Sequence, residues 1–483
     1  MKVPENKVEP KECLYLNLAL LKLGSIFPFD EVSSLTWINI LYKGYTTFTV
    51  TLFYSVSIAA PLFIICEDYP LQDGIEVMSI LLTQLRSGMK LMTFILYRKE
   101  VQNLIRTLYE NFYIHDRNLT AEESSIIRQA TGYARKITTS YIILYCITGL
   151  SMILHPLTPT RVELGEKDTL NYTAGPHRSL PFKSYYPNWD STKSPQYEIE
   201  YAAQATLTAL EAWCMGCIDS FCVTLMICVG YQFDLLSISL KNINKNALMK
   251  SGPEIYKKRI EGNYPEQILK NPALFVIQEK GENRIRKNVN NRDCLNRTYG
   301  STLRFGCGEG SHTSSTMKSF AQVERENLTY VKECIKYHQS LLMYVADMNK
   351  SFSSMFFVVF LTASILICLL GFQVLVMPPQ GLMFARVLLH SVCTVLELGF
   401  FCWFGSELMH KSQRVHQAAY DCDWQNNCNG AKFICMIIMR AQRPVAVRAG
   451  LFGNLCLPTF SSLMKNAYSY LALLRQFHEV DDA

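Results

Sequence analysis

The chain has 483 residues, of which 49% are hydrophobic and 18% charged, and its mean hydropathy is +0.08. Its 47 Lys and Arg against 41 Asp and Glu leave a net charge of +6, too mild an excess to require nucleic acid as a partner. The apolar residues are clumped: 351–385 and 45–66 contain no Asp, Glu, Lys or Arg, and such runs exceed the ~20 residues that cross a bilayer core, which marks a polytopic membrane protein.

Residues 1–36 read as a cytosolic, partly amphipathic lead-in, because "CLYLNLALLKLGSIFPFD" is broken by Lys22 and carries no small-residue cleavage pattern. Seven spans follow, at 37–66, 71–97, 132–155, 199–238, 351–376, 383–406 and 444–476. The first four form a bundle over 37–240, a cytosolic loop occupies 241–350, and the last three fall within 351–483. Arg86 and Lys90 interrupt the second span, and Glu211 and Asp219 the fourth. Charged groups at membrane depth face protein or water rather than lipid, so these four imply a bundle interior. Glu397, in the middle of the sixth span, reads as buried and either paired or neutral. Residues 278–326 turn basic and rich in Gly, Asn and Ser, the composition of a disordered insertion.

Orientation follows from Lys and Arg in the connections. Those after the first and fifth spans have none. Arg98, Lys99, Arg106, Arg117, Arg128, Arg135 and Lys136 gather between the second and third, and Lys411, Arg414, Lys432, Arg440 and Arg443 between the sixth and seventh. The third connection, with Arg161, Lys167, Arg178, Lys183 and Lys193, fits less well. The pattern places the N-terminus and the even-numbered connections inside and the C-terminus outside. Asn171-Tyr-Thr, a glycosylation triplet in the third connection, is then outside, although Asn118, Asn296 and Asn327 match the same triplet on the inside.

Most of the 17 cysteines lie in or beside apolar runs and read as buried thiols, and "CMGC" at Cys214–Cys217 has no second pair to complete a metal site. No nucleophile with a base, phosphate-cradling loop or metal motif appears, so neither an enzyme nor a cofactor is expected.

The last span carries a polar seam. Ser462, Asn466, Ser469, Leu473 and Gln476 share one side, and Leu463, Ala467, Tyr468, Tyr470, Leu471 and Leu474 the other. Hydroxyls and amides cost free energy against lipid, so the seam faces either a partner helix, as interhelical glue, or water. Pro458 removes a backbone donor and is expected to kink this span. Glu479, Asp481 and Asp482 beyond it are either an acidic mouth that favours cations or a solvated tail.

Three stretches carry a resemblance. "FFCWFGSELMHKSQRVHQAAYDCDW" (400–424) and "MRAQRPVAVRAGLFGNLCLPTFSSLMKNAYSYLALLRQ" (439–476) resemble the C-terminal signature of insect odorant receptors. "LPFKSYYPNWDSTKSPQYEIEYAAQ" (180–204) resembles that family's outer loop leading into the fourth span. The related gustatory receptors are the near alternative, and the "CDW" and "AYSYLALL" stretches favour the odorant branch.

The resemblance implies an all-α, seven-span subunit of a tetrameric, odorant-gated, nonselective cation channel. The N-terminus is intracellular, an intracellular anchor region precedes the last helix, and that helix lines the pore. It implies a tuning subunit that pairs with a shared coreceptor in the multi-pass dendritic membrane of olfactory neurons and binds a small volatile odorant. In that setting Ser462, Asn466, Ser469 and Gln476 line a hydrated path, and Leu473 is the apolar ring that gates by dewetting. The ligand pocket belongs to the outer halves of the second, third, fourth and sixth spans: Met78 and Leu82; Cys146, Gly149 and Ile153; Tyr201, Thr208 and Ala212; His390 and Cys393. Ordinary packing is the alternative for each, and Gly149 either makes room for a ligand or lets two helices close up.

Two other classes compete. A G-protein-coupled receptor calls for a cytosolic C-terminus and an acidic-Arg-aromatic triplet ending the third span, which here ends in "LHPLTP". A transporter calls for matched, inverted repeats, and none is visible.

Overall fold

The computed structural model describes residues 12–24, 36–57, 62, 64, 65, 71–110, 120–157, 179–187, 189–191, 193–243, 312–422, 424 and 430–481. Nearly all of these are helical, and among them no strand forms, only an isolated bridge between Arg448 and Asn454. In chain order the helices are α1 (Glu12–Leu23), α2 (Thr36–Ser57), α3 (Leu71–Leu96), α4 (Arg98–Glu110), α5 (Ala121–Leu154), α6 (Gln196–Lys241), α7 (His312–Val376), α8 (Leu382–Tyr420), α9 (Ala431–Ala441) and α10 (Leu457–Asp481). Ala121–Leu157, Gln196–Lys241, Arg325–Val376 and Leu382–Tyr420 are long and apolar enough to cross a bilayer. With 22, 26 and 25 residues, α2, α3 and α10 also have the length, at 1.5 Å per residue, to span a core of about 30 Å.

Several helices run past their expected ends. α5 begins at Ala121 rather than 132 because Thr120 and Glu123 form a capping box: the threonine oxygen accepts the Glu123 N–H, and the glutamate accepts the Thr120 N–H. α8 continues to Tyr420. α7 starts at His312, so the last part of the 278–326 stretch is helical, while 278–311 lies outside the described residues.

The lead-in packs on the bundle: α1 runs antiparallel along the middle of α6. The Asn17 amide donates to Ser220 Oγ (3.2 Å) and accepts from Thr138 (3.2 Å), and Trp213 donates to the Leu20 carbonyl (3.3 Å). Leu14 and Leu21 are fully buried there.

The last span is corrected at its start. Residues 444–456 hold no α-helix, only the 3-10 turn Gly450–Phe452, and the physical reason is local. Gly450 and Gly453 take positive φ, +51° and +93°, and a tight loop forms in which Ala449 donates to the Gly453 carbonyl and Leu455 to that of Val447. Asn349 clamps the loop by donating to the Ala446 carbonyl and accepting from Arg448 N–H. Pro458 therefore stands in the first turn of α10, where its missing donor costs nothing, and it starts the helix instead of kinking it. Gly405 lets the loop come close to α8, since a Cβ there would lie 2.2 Å from the Leu455 carbonyl oxygen.

Residues up to 232, 342–410 and 445–483 form one compact unit. Its α6 is buried without a break from Met215 to Gly230, whereas α5 turns Ile143, Ile147, Leu150 and Leu154 outward in a stripe suited to lipid. The interior holds an ionic layer. Lys90 Nζ lies 2.6 Å from both Asp219 Oδ1 and Glu397 Oε1, Arg86 Nη1 lies 2.9 Å from Glu397 Oε2, and Tyr145 donates to Asp219 Oδ2 at 2.6 Å. All four charged side chains are at most 3% exposed. Beside them Phe94 meets Phe221 and Phe352, and Phe356 meets both Phe352 and Phe401, an aromatic chain linking α3, α6, α7 and α8. Residues 233–341 and 411–444 form the second unit. There Lys411 pairs with Asp234 (3.0 Å), Phe233 meets His338 edge-on, Ile434 and Ile437 of α9 are buried, and Lys332 and Lys432 lie over the Phe433 ring.

Lys90→Met leaves two buried carboxylates against one guanidinium, and breaking a buried pair from one side costs about 3–5 kcal/mol. The thermal midpoint of the purified protein should fall, and adding Asp219→Asn should restore part of the loss. An unchanged midpoint in the single variant would show that water already solvates the layer.

Candidate functional site

The ionic layer orders the candidate ligand residues. On α3, Met78 and Leu82 precede Arg86; on α5, Cys146, Gly149 and Ile153 follow Tyr145; on α6, Tyr201, Thr208 and Ala212 precede Asp219; on α8, His390 and Cys393 precede Glu397. All ten therefore fall on the same side of the layer, from less than one helical turn away (Cys146) to about five turns away (Tyr201).

Three sets are brought together. A Cβ on Gly149 would meet the Ala212 Cβ at 2.8 Å and the Thr208 carbonyl oxygen at 3.6 Å, so α5 and α6 close up at this point and Ala212 fills the glycine's vacant side. The Tyr201 hydroxyl donates to the Ile153 carbonyl at 2.8 Å. Thr83, one residue beyond Leu82, lies 3.3 Å from His390 Nε2, and both His390 and Cys393 are buried. Cys146 and Met78 face outward from the chain.

The segment before α6 straps this end of the bundle. Phe182 is buried, and its N–H donates to Gln204 Oε1, while Gln204 Nε2 donates to Ser184 Oγ at 2.8 Å. Glu200 accepts from Ser184 and Ser191. Lys183 pairs with Asp73 of α3, and Arg386 of α8 pairs with Glu76 and reaches the Pro181 carbonyl. Burial, and then Glu200, pushes the Tyr186 hydroxyl up to about 12, so it stays protonated at physiological pH. Glu200 and Gln204 stand four apart on one face of α6, a spacing that could have flagged the clasp in the sequence.

At the other site, α10 touches its own unit along a narrow line. Leu463 and Ala467 are buried, and Leu471 packs against Gly371 of α7. Ser462, Asn466, Ser469, Leu473 and Gln476 are exposed, Leu473 at 49%. Tyr468 and Tyr470, on the side opposite the seam, are 73% and 63% exposed, so two further faces of α10 are uncovered. Asn171 and Asp482 lie outside the described residues.

Among the described residues no group of three or more His, Cys, Asp or Glu could hold a metal. The arrangement offers charge and hydrogen-bond order, not bond-making chemistry.

The family model described as 7tm Odorant receptor matches residues 71–468. Putative odorant receptor 85d of Drosophila melanogaster is 29% identical over 155 residues, covering 32% of this chain and 37% of that protein. With relatives of this kind the chain thus aligns over well under half of their length. Odorant receptor 10 of Aedes albopictus is 23% identical over 385 residues, 79% of this chain and 78% of its own, and the odorant receptor coreceptor of Aedes aegypti is 22% identical over 314 residues, 62% and 63% of the two chains. The olfactory receptor OR5 of Machilis hrabei, solved in complex with eugenol, has the same fold: TM-score 0.67 at 13% identity, covering 97% of this chain and 98% of that one. The packing of α3, α5, α6 and α8 about a shared interior and the match over 71–468 lead to one conclusion: the chain belongs to the odorant receptor family.

Proposed function

We propose that the chain is a tuning subunit of an odorant-gated, nonselective cation channel. It assembles with the shared coreceptor as a heterotetramer in the membrane of olfactory neurons, and α10 from each subunit surrounds the pore. The observation that carries this reading is the surface of α10. Its own chain covers Leu463 and Ala467 but leaves Ser462, Asn466, Ser469 and Gln476 bare, with Leu473 among them. Hydroxyls and amides held at membrane depth call for water or other subunits. A four-fold ring of Leu473 side chains would close such a path by dewetting.

The odorant belongs on the far side of the ionic layer, beneath the strap of residues 179–195. OR5 was solved with eugenol, a compact ligand with one aromatic ring and polar oxygens. Here Thr83 and His390 offer polar groups of the kind that would orient such a molecule, and Thr208, Ile153 and Cys393 are of suitable size and polarity to line its walls. Gly149 sets the spacing of α5 and α6 at that wall. The basic residues of the even connections put the N-terminus inside and the C-terminus outside.

Three measurements test these parts separately. A tag at the C-terminus should stain on intact cells; staining only after permeabilisation would favour a G-protein-coupled receptor. Leu473→Ala should raise the leak current in the absence of odorant or alter ion permeation, and unchanged currents would remove Leu473 from the gate. His390→Ala should shift the half-maximal concentration of an activating odorant by about tenfold, the size of one good contact, without changing leak. An unaltered dose response would take His390 out of the pocket.

A further inference from the structure

A cleft of about 770 Å³ opens at the opposite end of the bundle from the strap, between α5, α6, α8 and the head of α10. It is lined by Tyr133 and Lys136 of α5, Tyr231 of α6, Trp403 and Glu407 of α8, and their neighbours Ser406, His410 and Leu457. On α8 it lies about 20 Å from His390 at Trp403 and about 30 Å at His410, counting 1.5 Å per residue. It cannot be part of the odorant site.

The level of the cleft follows from the two helices that flank it. On α5, Arg128, Arg135 and Lys136 give way to the apolar run that begins at Ile137. On α8, the run Leu398–Phe404 gives way to Glu407, His410, Lys411 and Arg414. Both transitions meet at the cleft, so it stands at the boundary between hydrocarbon and water, where phospholipid headgroups lie.

Its chemistry selects among headgroups. Trp403, 54% exposed, offers an aromatic surface of the kind that attracts an organic ammonium, and Tyr133, whose ring packs on Phe404, and Tyr231 line the same wall. Glu407 adds a carboxylate. Lys136 and His410 supply donors for a phosphate. A ligand with negative charge alone would face Glu407, and one with positive charge alone would face Lys136. We infer that the cleft binds the headgroup of a zwitterionic membrane phospholipid, with its choline or ethanolamine against Trp403, the tyrosines and Glu407, and its phosphate at Lys136 and His410. The acyl chains leave past Leu457, the first residue of α10, whose N–H is held by Ser406 Oγ at 2.8 Å. The lipid is thus in contact with the base of the proposed pore helix, but its binding does not depend on that helix lining a pore.

The test uses the full receptor complex in bilayer nanodiscs doped with a photoactivatable phosphatidylcholine, followed by mapping of the labelled peptides. Label should fall on α5 near Tyr133 and on α8 near Trp403. Excess phosphatidylcholine or phosphatidylethanolamine should displace it, whereas phosphatidylglycerol and free phosphocholine should not. Trp403→Ala and Glu407→Gln should each lower labelling by at least about threefold, Trp403→Tyr should restore it, and Ile143→Ala on the outward stripe should leave it unchanged. Surface delivery of each variant is confirmed by tag staining before labelling. Displacement by phosphatidylglycerol as strong as by phosphatidylcholine would replace the proposal with an anionic-lipid site. Labelling indifferent to both Trp403→Ala and Glu407→Gln, or absent from the intact complex because another subunit covers the cleft, would overturn it.

Discussion

The fold is organised around Lys90. Its ammonium is completely enclosed and bridges two carboxylates from two other helices, Asp219 and Glu397, while Arg86 completes the second of them. In hydrocarbon each of these groups alone would carry a large desolvation cost, so α3, α6 and α8 have no low-energy arrangement that separates them. Tyr145 brings α5 into the same knot through Asp219. Two formal positive and two formal negative charges balance, and the aromatic chain from Phe94 to Phe401 seals the layer on the α7 side. Apolar surface provides little preference among packings inside a bilayer, because lipid tails are as apolar as leucine. The ion pairs supply the register that hydrophobicity leaves open. Everything on that side of the layer, from His390 to the strap, is positioned relative to that plane.

Much of this architecture was legible from the sequence, and for identifiable reasons. An uncharged run such as 351–376 is long enough to cross a bilayer, and it is helical to Val376 as expected. Arg86, Lys90, Asp219 and Glu397 could be assigned to an interior because lipid excludes charge, although nothing in one dimension says who pairs with whom. Helix ends beyond the membrane were less readable, since outside the hydrocarbon a helix is stabilised by caps and packing rather than by apolar content. The Thr120–Glu123 box was nonetheless written in the sequence, and only the emphasis on hydropathy obscured it. The start of α10 was misplaced for a similar reason. "VAVRAGLFGNLCL" is apolar enough to pass for a span, and only its two left-handed glycines and the Asn349 clamp make it a loop.

The candidate sites divide in the same way. The α10 seam could be found by helical periodicity alone, because polar residues four and three apart have few uses in a membrane. Its tyrosines could not be placed, since Tyr468 and Tyr470 are as compatible with packing as with exposure, and only the narrow contact of α10 with Gly371 and its neighbours decides. The pocket was less accessible still. Cys146 and Gly149 share a helical face by spacing, but the contact with Ala212 turns one inward and leaves the other outside. The cleft around Trp403 left no signature at all, because its walls come from four helices whose lining residues are spread from Gln129 to Leu457.

The bareness of α10 has a consequence for the chain before it meets any partner. A lone copy released into the endoplasmic reticulum would present unsheltered amides and hydroxyls to acyl chains, the kind of lesion by which cells recognise orphaned membrane subunits. On the assembly proposed above, α10 would be sheltered only once partner subunits or water meet its seam, so a single copy would be the least stable form of the chain in a bilayer.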